Sequence, residues 1–132
     1  MNNVINMIET VKTISWTVII GGLSYIVYRR LQKKIVTFKE VKEWAETYND
    51  GKGKNCFVSK LSVMPEEVRK QVQKEIGLQR IINGYKDETS VFATITDVDN
   101  NIITSCYFLG TNFDEDLQLA LTNSVGINLK LN

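Results

Sequence analysis

The chain contains no histidine, which removes the commonest general base and the commonest metal ligand together. It has one proline and two cysteines in 132 residues. Two cysteines are too few for a disulfide scaffold. Cys56 and Cys106 are expected as free, buried thiols on strands, with a single bridge as the alternative in an oxidising compartment. Internal repeats, low-complexity tracts and family signatures are also lacking. With no nucleophile placed beside a base, the sequence points away from an enzyme and calls for neither cofactor nor metal.

Long apolar runs are scarce too, and one exception organises the rest. Thr13 to Tyr28 is sixteen residues without a formal charge, closed by Arg29, Arg30, Lys33 and Lys34. As a helix this stretch spans about 24 Å, short of a hydrocarbon core of about 30 Å. Snorkelling of Lys12 and Arg29 and slight thinning of the bilayer make up the difference. Trp16, Tyr25 and Tyr28 stand toward the ends, where amphipathic rings prefer to lie. Gly21 and Gly22 are better tolerated in a membrane helix than in a helix in water. The stretch therefore predicts a single-pass transmembrane helix, with a buried core helix as the alternative. The basic residues that follow it place the C-terminal domain in the cytoplasm by the positive-inside rule. Before it, Val4, Ile8 and Val11 recur at helical spacing, an amphipathic lead-in.

Charge is divided along the chain. Residues 1–86 hold 15 Lys and Arg against 8 Asp and Glu, a net of +7, and residues 87–132 hold 1 against 7, a net of −6. The basic part is the one nearest the predicted span, as anionic headgroups would favour. Lipid is thus the expected partner of the basic flank, in preference to nucleic acid.

The remainder is large enough for a core of its own. Thr37 and Glu40 form a capping box, with Val36 and Val41 placed as its hydrophobic staple. Phe38, Val41, Trp44, Ala45 and Tyr48 complete the apolar stripe of a helix over Phe38 to Tyr48. The glycine-rich turn 49–54 follows. Cys56 to Val63 reads as a strand, and Pro65 opens a helix with Met64, Val68, Val72 and Ile76 on one face. Ile81 to Gly84 reads as a short extended piece with a turn. Ser90 to Thr96 and Ile102 to Leu109 are strands; Asn112, with Glu115 three residues on, caps a last helix. Ile127, Leu129 and Leu131 alternate with polar residues in a terminal strand. The predicted fold is α+β: residues 1–34 as lead-in, span and basic flank, 35–54 as linking helix and turn, and 55–132 as a cytoplasmic ferredoxin-like βαββαβ antiparallel sheet domain.

Two motifs invite chemistry. Asp97, Asp99 and Asn101 match the first three ligands of an EF-hand loop. Ile102 then occupies the position of its turn glycine and Phe108 that of its bidentate glutamate, so a plain turn is favoured. Lys52, Lys54, Lys60 and Arg80 are candidates for holding a small anionic ligand. The function these features point to is a membrane-anchored interaction module, presenting its domain to a protein partner or to further copies in a homo-oligomer. The alternatives are a ligand-gated, pore-forming effector with a cytoplasmic sensor domain, and a phage-type lysis or antiholin protein of opposite topology whose external domain needs a Cys56 to Cys106 bridge.

Overall fold

The structure, a computed structural model, describes residues 5–11, 28–32, 35–64, 66, 69–70 and 81–132. Among the described residues the strands are β1 (Ile5–Val11), β2 (Tyr28–Gln32), β3 (Ile35–Val36), β4 (Asn55–Lys60), β5 (Val91–Thr96), β6 (Ile102–Leu109), β7 (Asn112–Phe113) and β8 (Gly126–Leu131). Among the described residues the α-helices with both ends given are α1 (Phe38–Glu46) and α2 (Glu115–Leu121), and residues 66, 69–70 and 81–83 are helical as well. Among the described residues no helix is long and apolar enough to cross a membrane. The predicted span lies outside them except for Tyr28, so Trp16, Gly21, Gly22 and Tyr25 are not described, and neither are Lys33 and Lys34.

The capping box forms as its residues predict. Thr37 Oγ1 accepts from the Glu40 N–H at 3.1 Å, and Glu40 Oε1 accepts from the Thr37 N–H at 2.8 Å. Two donors that a helix start leaves unpaired are thereby satisfied. The stripe it launches, Phe38, Val41, Trp44 and Ala45, is buried. It lies on one face of the sheet, against Cys56 and Val58 of β4, Val91, Ala93 and Ile95 of β5, and Cys106 and Phe108 of β6. Leu117 and Leu121 of α2, with Ile127, Leu129 and Leu131 of β8, complete this core.

The other face is buried as well over the central strands. Ser59, Phe92, Thr94, Ser105, Tyr107 and Leu109 are all at most 1% exposed. Phe92 and Tyr107 pair across β5 and β6 with ring centroids 5.1 Å apart, and Thr94 Oγ1 meets Ser105 Oγ at 3.1 Å. Burial on both faces explains why β5 and most of β6 are continuous runs of buried residues rather than alternations.

Six strands form the main sheet in the order β1-β8-β4-β5-β6-β2, antiparallel throughout except for the parallel β6–β2 pair. The α+β class and the four-stranded antiparallel centre agree with the sequence reading. The ferredoxin-like order does not. A split βαβ places a third strand between the two that flank the first helix, whereas β4 and β5 pair directly, from Asn55 opposite Thr96 to Lys60 opposite Val91. The reason is visible where the chain leaves β4: the Leu61 N–H donates to Ser90 O at 2.9 Å. The excursion over 61–90 thus starts and ends at the same end of the sheet, making a long hairpin connection instead of a crossover to a parallel strand. The central order, last strand beside the first and then the second and third, is that of a Greek key.

Three local expectations are also corrected. Ile5–Val11 is a strand against β8, not the start of an amphipathic helix, and Tyr28–Gln32 is a strand against β6. Residues 81–83 are helical, not extended, closed by Gly84 at φ +72°. The cap of α2 is Asp114, not Asn112, which lies in β7. Parallel pairing of β3 with β7 sets Val36 opposite Phe113 and brings the Asp114 N–H to Val36 O at 3.0 Å. Asp114 Oδ1 then accepts from two helix starts, the Leu117 N–H of its own helix at 3.0 Å and the Phe38 N–H of α1 at 3.1 Å.

Candidate interaction edges and the polar end of the sheet

The turn 97–101 and the turn 49–54 meet at the end of the sheet where β4 begins. A Cβ on Gly53 would stand 3.3 Å from Val98 Cγ1, so the two turns are in contact. Asp97 is the centre of its turn: its Oδ1 accepts from the backbone N–H of Asp99 and of Asn101, each at 2.9 Å, and Oδ2 accepts from Asn101 Nδ2 at 3.2 Å. Those bonds, the Asn101 backbone N–H first, hold the Asp97 carboxyl below its ordinary range, with the charge of Lys54 adding to them. The motif that resembled a calcium loop is therefore filled by its own backbone. Among the described residues no group of His, Cys, Asp and Glu is arranged to hold a metal ion.

A lowered carboxylate pKa contributes stability that is present above the unfolded value of 3.8 and is lost as pH falls through the lower folded value. Asp97→Asn keeps the Oδ1 acceptor but cannot titrate, so we expect melting temperature to fall less steeply below pH 3.8 in this variant. A pH series of thermal melts that superimposed on the wild type there would show that the turn does not carry the acid sensitivity.

Of the residues proposed for an anionic ligand, the three described lysines are not gathered into one place. Lys54 Nζ binds Asp50 Oδ2 at 2.9 Å and lies close enough to Asp97 to lower its pKa as well. The Lys54 contact is likewise the leading cause that holds the Asp50 carboxyl down, ahead of the Lys52 backbone N–H. Lys52 is in the same exposed turn, Lys60 is at the far end of β4, and Arg80 lies outside the described residues. Six residues of extended chain separate Lys54 from Lys60, about 20 Å. The turns are fastened to the terminal strand, with the Leu131 N–H donating to Lys54 O at 2.8 Å and Asn49 Nδ2 to Asn132 O at 2.7 Å.

Both cysteines are free and buried on the face under α1. Cys56 is opposite Ile95, and Cys106 is opposite Ala93 on the other side of β5. Two strand spacings put their Cα atoms at least about 9 Å apart, beyond the reach of about 7 Å that a bridge allows. The bridge that an external lysis domain would need is thus not available in this fold. Burial pushes the Cys56 thiol far up, and the neighbouring Cys106 adds to the shift. Since the thiolate is the reactive form, we expect neither cysteine to be labelled by a maleimide in the native chain at pH 8 and both to be labelled in denaturant. Rapid native labelling would contradict the burial.

Tyr28, Arg29 and Arg30 of the predicted basic collar lie in β2, in register with Ser105, Cys106 and Tyr107. β2 and β1 are the two ends of the sheet, and among the described elements nothing pairs with their outer sides. An unpaired strand edge is a row of free N–H and C=O groups, ready to receive another strand. Sequence reasoning missed both edges because each was absorbed into a helical reading of its neighbourhood, and Tyr28–Gln32 carries no clear alternation of polar and apolar residues. No family model matches this chain, and neither a curated protein nor a solved structure matches it.

Proposed function

We propose that this chain is a non-catalytic interaction module, held at a membrane by the uncharged stretch Thr13–Tyr28 and its basic collar, with the α+β domain on the cytoplasmic side. The single observation that carries the interaction part is that among the described residues no strand pairs with the outer side of β1 or of β2. The charge division of the sequence, basic toward the stretch and acidic beyond it, supports the membrane part. The occupant of the edges is a protein strand or a second copy of the chain.

One observation favours a second reading, in which the module is water-soluble. A single crossing puts its two flanks on opposite sides of the bilayer, yet β1 and β2 are both strands of one sheet. Five strand spacings separate them, about 24 Å, a gap that the residues between Val11 and Tyr28 are long enough to cover without leaving the domain.

Flotation of the full chain with phosphatidylcholine and phosphatidylglycerol vesicles decides between the two. Under the membrane reading the chain rises with the vesicles and stays with them through an alkaline carbonate wash. Recovery at the bottom of the gradient, in soluble form without detergent, overturns that reading in favour of the second.

A further inference from the structure

We infer that the face of the sheet opposite α1 is a docking surface for the chain's own uncharged stretch, with residues 12–27 crossing it between β1 and β2; the inference rests on the water-soluble reading. That face is buried over the central strands: Ser59, Phe92, Thr94, Ser105, Tyr107 and Leu109 are at most 1% exposed. The stripe of α1, with Leu117 and Leu121 of α2, belongs to the core on the other face. The second face therefore takes its cover from another part of the chain.

Strand direction points to the stretch that supplies it. β1, β2, β4 and β6 run one way, and β5 and β8 run the other. β1 and β2 are thus parallel strands of one sheet, and parallel strands are joined by a crossover that carries the chain back along a face. Such crossovers are right-handed in about 98% of cases. From β2 to β4 the chain moves three strand positions by way of α1, whose stripe fixes that passage to the face of Cys56 and Phe108. From β1 to β2 it moves five positions across the sheet in the opposite sense. Two crossovers of one hand that travel in opposite senses lie on opposite faces. The passage from β1 to β2 is thereby assigned to the face of Phe92 and Tyr107.

Length and chemistry agree with that assignment. Sixteen residues cover the gap of about 24 Å between the outer strands even at the helical rise of about 1.5 Å each. Thr13–Tyr28 carries no formal charge, so it can be buried against the sheet without stripping water from an ion. The rival occupant is the connection over 61–90. Its residues 65–80 hold seven charged side chains, and those of Lys70 and Glu66 are 75% and 82% exposed. The uncharged character that suggests a lipid span is, on this inference, that of a segment buried in protein.

The test is disulfide scanning of the full chain in buffer without lipid or detergent. Single cysteines set along 13–27 are paired with Ser105→Cys or Thr94→Cys on the second face, or with Val91→Cys on the face of α1, and oxidised mildly. Cys56 and Cys106, unlabelled until denaturant is added, report that each variant is folded. We expect some positions of 13–27 to bridge to Ser105→Cys and to Thr94→Cys, and none to Val91→Cys. A bridged chain then takes two maleimides in denaturant, from its native cysteines, where an unbridged one takes four. Bridges to Val91→Cys, or none from 13–27 in folded variants, overturn the inference. So do bridges to the second face that come only from cysteines along 65–80, in which case a water-soluble chain leaves the reading beneath it standing. A chain recovered only with vesicles overturns that reading and the inference together.

Discussion

Replacing Trp44 with alanine is expected to remove about 3–5 kcal/mol of stability, the range for truncating a large buried aromatic side chain. Trp44 is the largest side chain of the α1 stripe that rests on the sheet. It meets Phe108 of β6 edge-to-face with centroids 5.8 Å apart, and Tyr48 at 5.3 Å on its other side. Its indole Nε1 is buried with no hydrogen-bond partner among the described residues, and a buried donor left unpaired costs about 1–3 kcal/mol. Trp44→Phe removes that donor while retaining a ring against Phe108. We therefore expect it to be milder than alanine, since the smaller ring leaves less of a cavity than truncation to a methyl group does. Denaturant midpoints for the two variants check this. Equal losses would show that the indole, and not the filled volume, is what the sheet needs.

The second large effect falls on Asp114. One carboxylate oxygen accepts the Leu117 N–H of α2 and the Phe38 N–H of α1, so truncation orphans a donor at the start of both helices. At about 1–2 kcal/mol for each lost cap, Asp114→Ala should lower stability by about 2–4 kcal/mol. Asp114→Asn keeps the oxygen and should lose much less. Asp114→Ser supplies a shorter acceptor that reaches its own helix but not α1, so it should fall between the two. Urea unfolding followed by circular dichroism separates these outcomes. If serine matched asparagine, the bond to α1 would contribute nothing.

This shared cap shows what a single sequence does and does not disclose. The acidic first turn of α2 and the capping box of α1 are legible because both ends of each interaction lie within a few residues. Asn112 looked like the better cap for α2 on spacing alone. Asp114 takes the role because pairing of β3 with β7 brings Val36 and Phe38 alongside it, across 76 residues of chain.

The candidate site divides in the same way. Asp97, Asp99 and Asn101 were legible as a turn, and the turn's bonds are local. The lysines of a supposed anion site were gathered by sequence proximity and basic charge, and the length of β4 separates them. That Lys54 is occupied by Asp50 is an i, i+4 contact and could have been anticipated from the spacing.

The sequence by itself determined the α+β composition, a helix read over 38–48 that ends at 46, strands read over 56–63, 90–96, 102–109 and around 127–131, of which the first stops at Lys60, and the unlikelihood that two lone cysteines shape the fold. Each of these follows from periodicity, capping and turn chemistry, which act over a few residues. Only the tertiary structure decided that β4 pairs directly with β5, that β1 and β2 end the same sheet, and that one aspartate starts two helices. Strand pairing is made by backbone N–H and C=O groups that every residue but proline carries in full. The partner of a strand is therefore chosen by how the whole chain closes over its core and not by any pattern written within the strand.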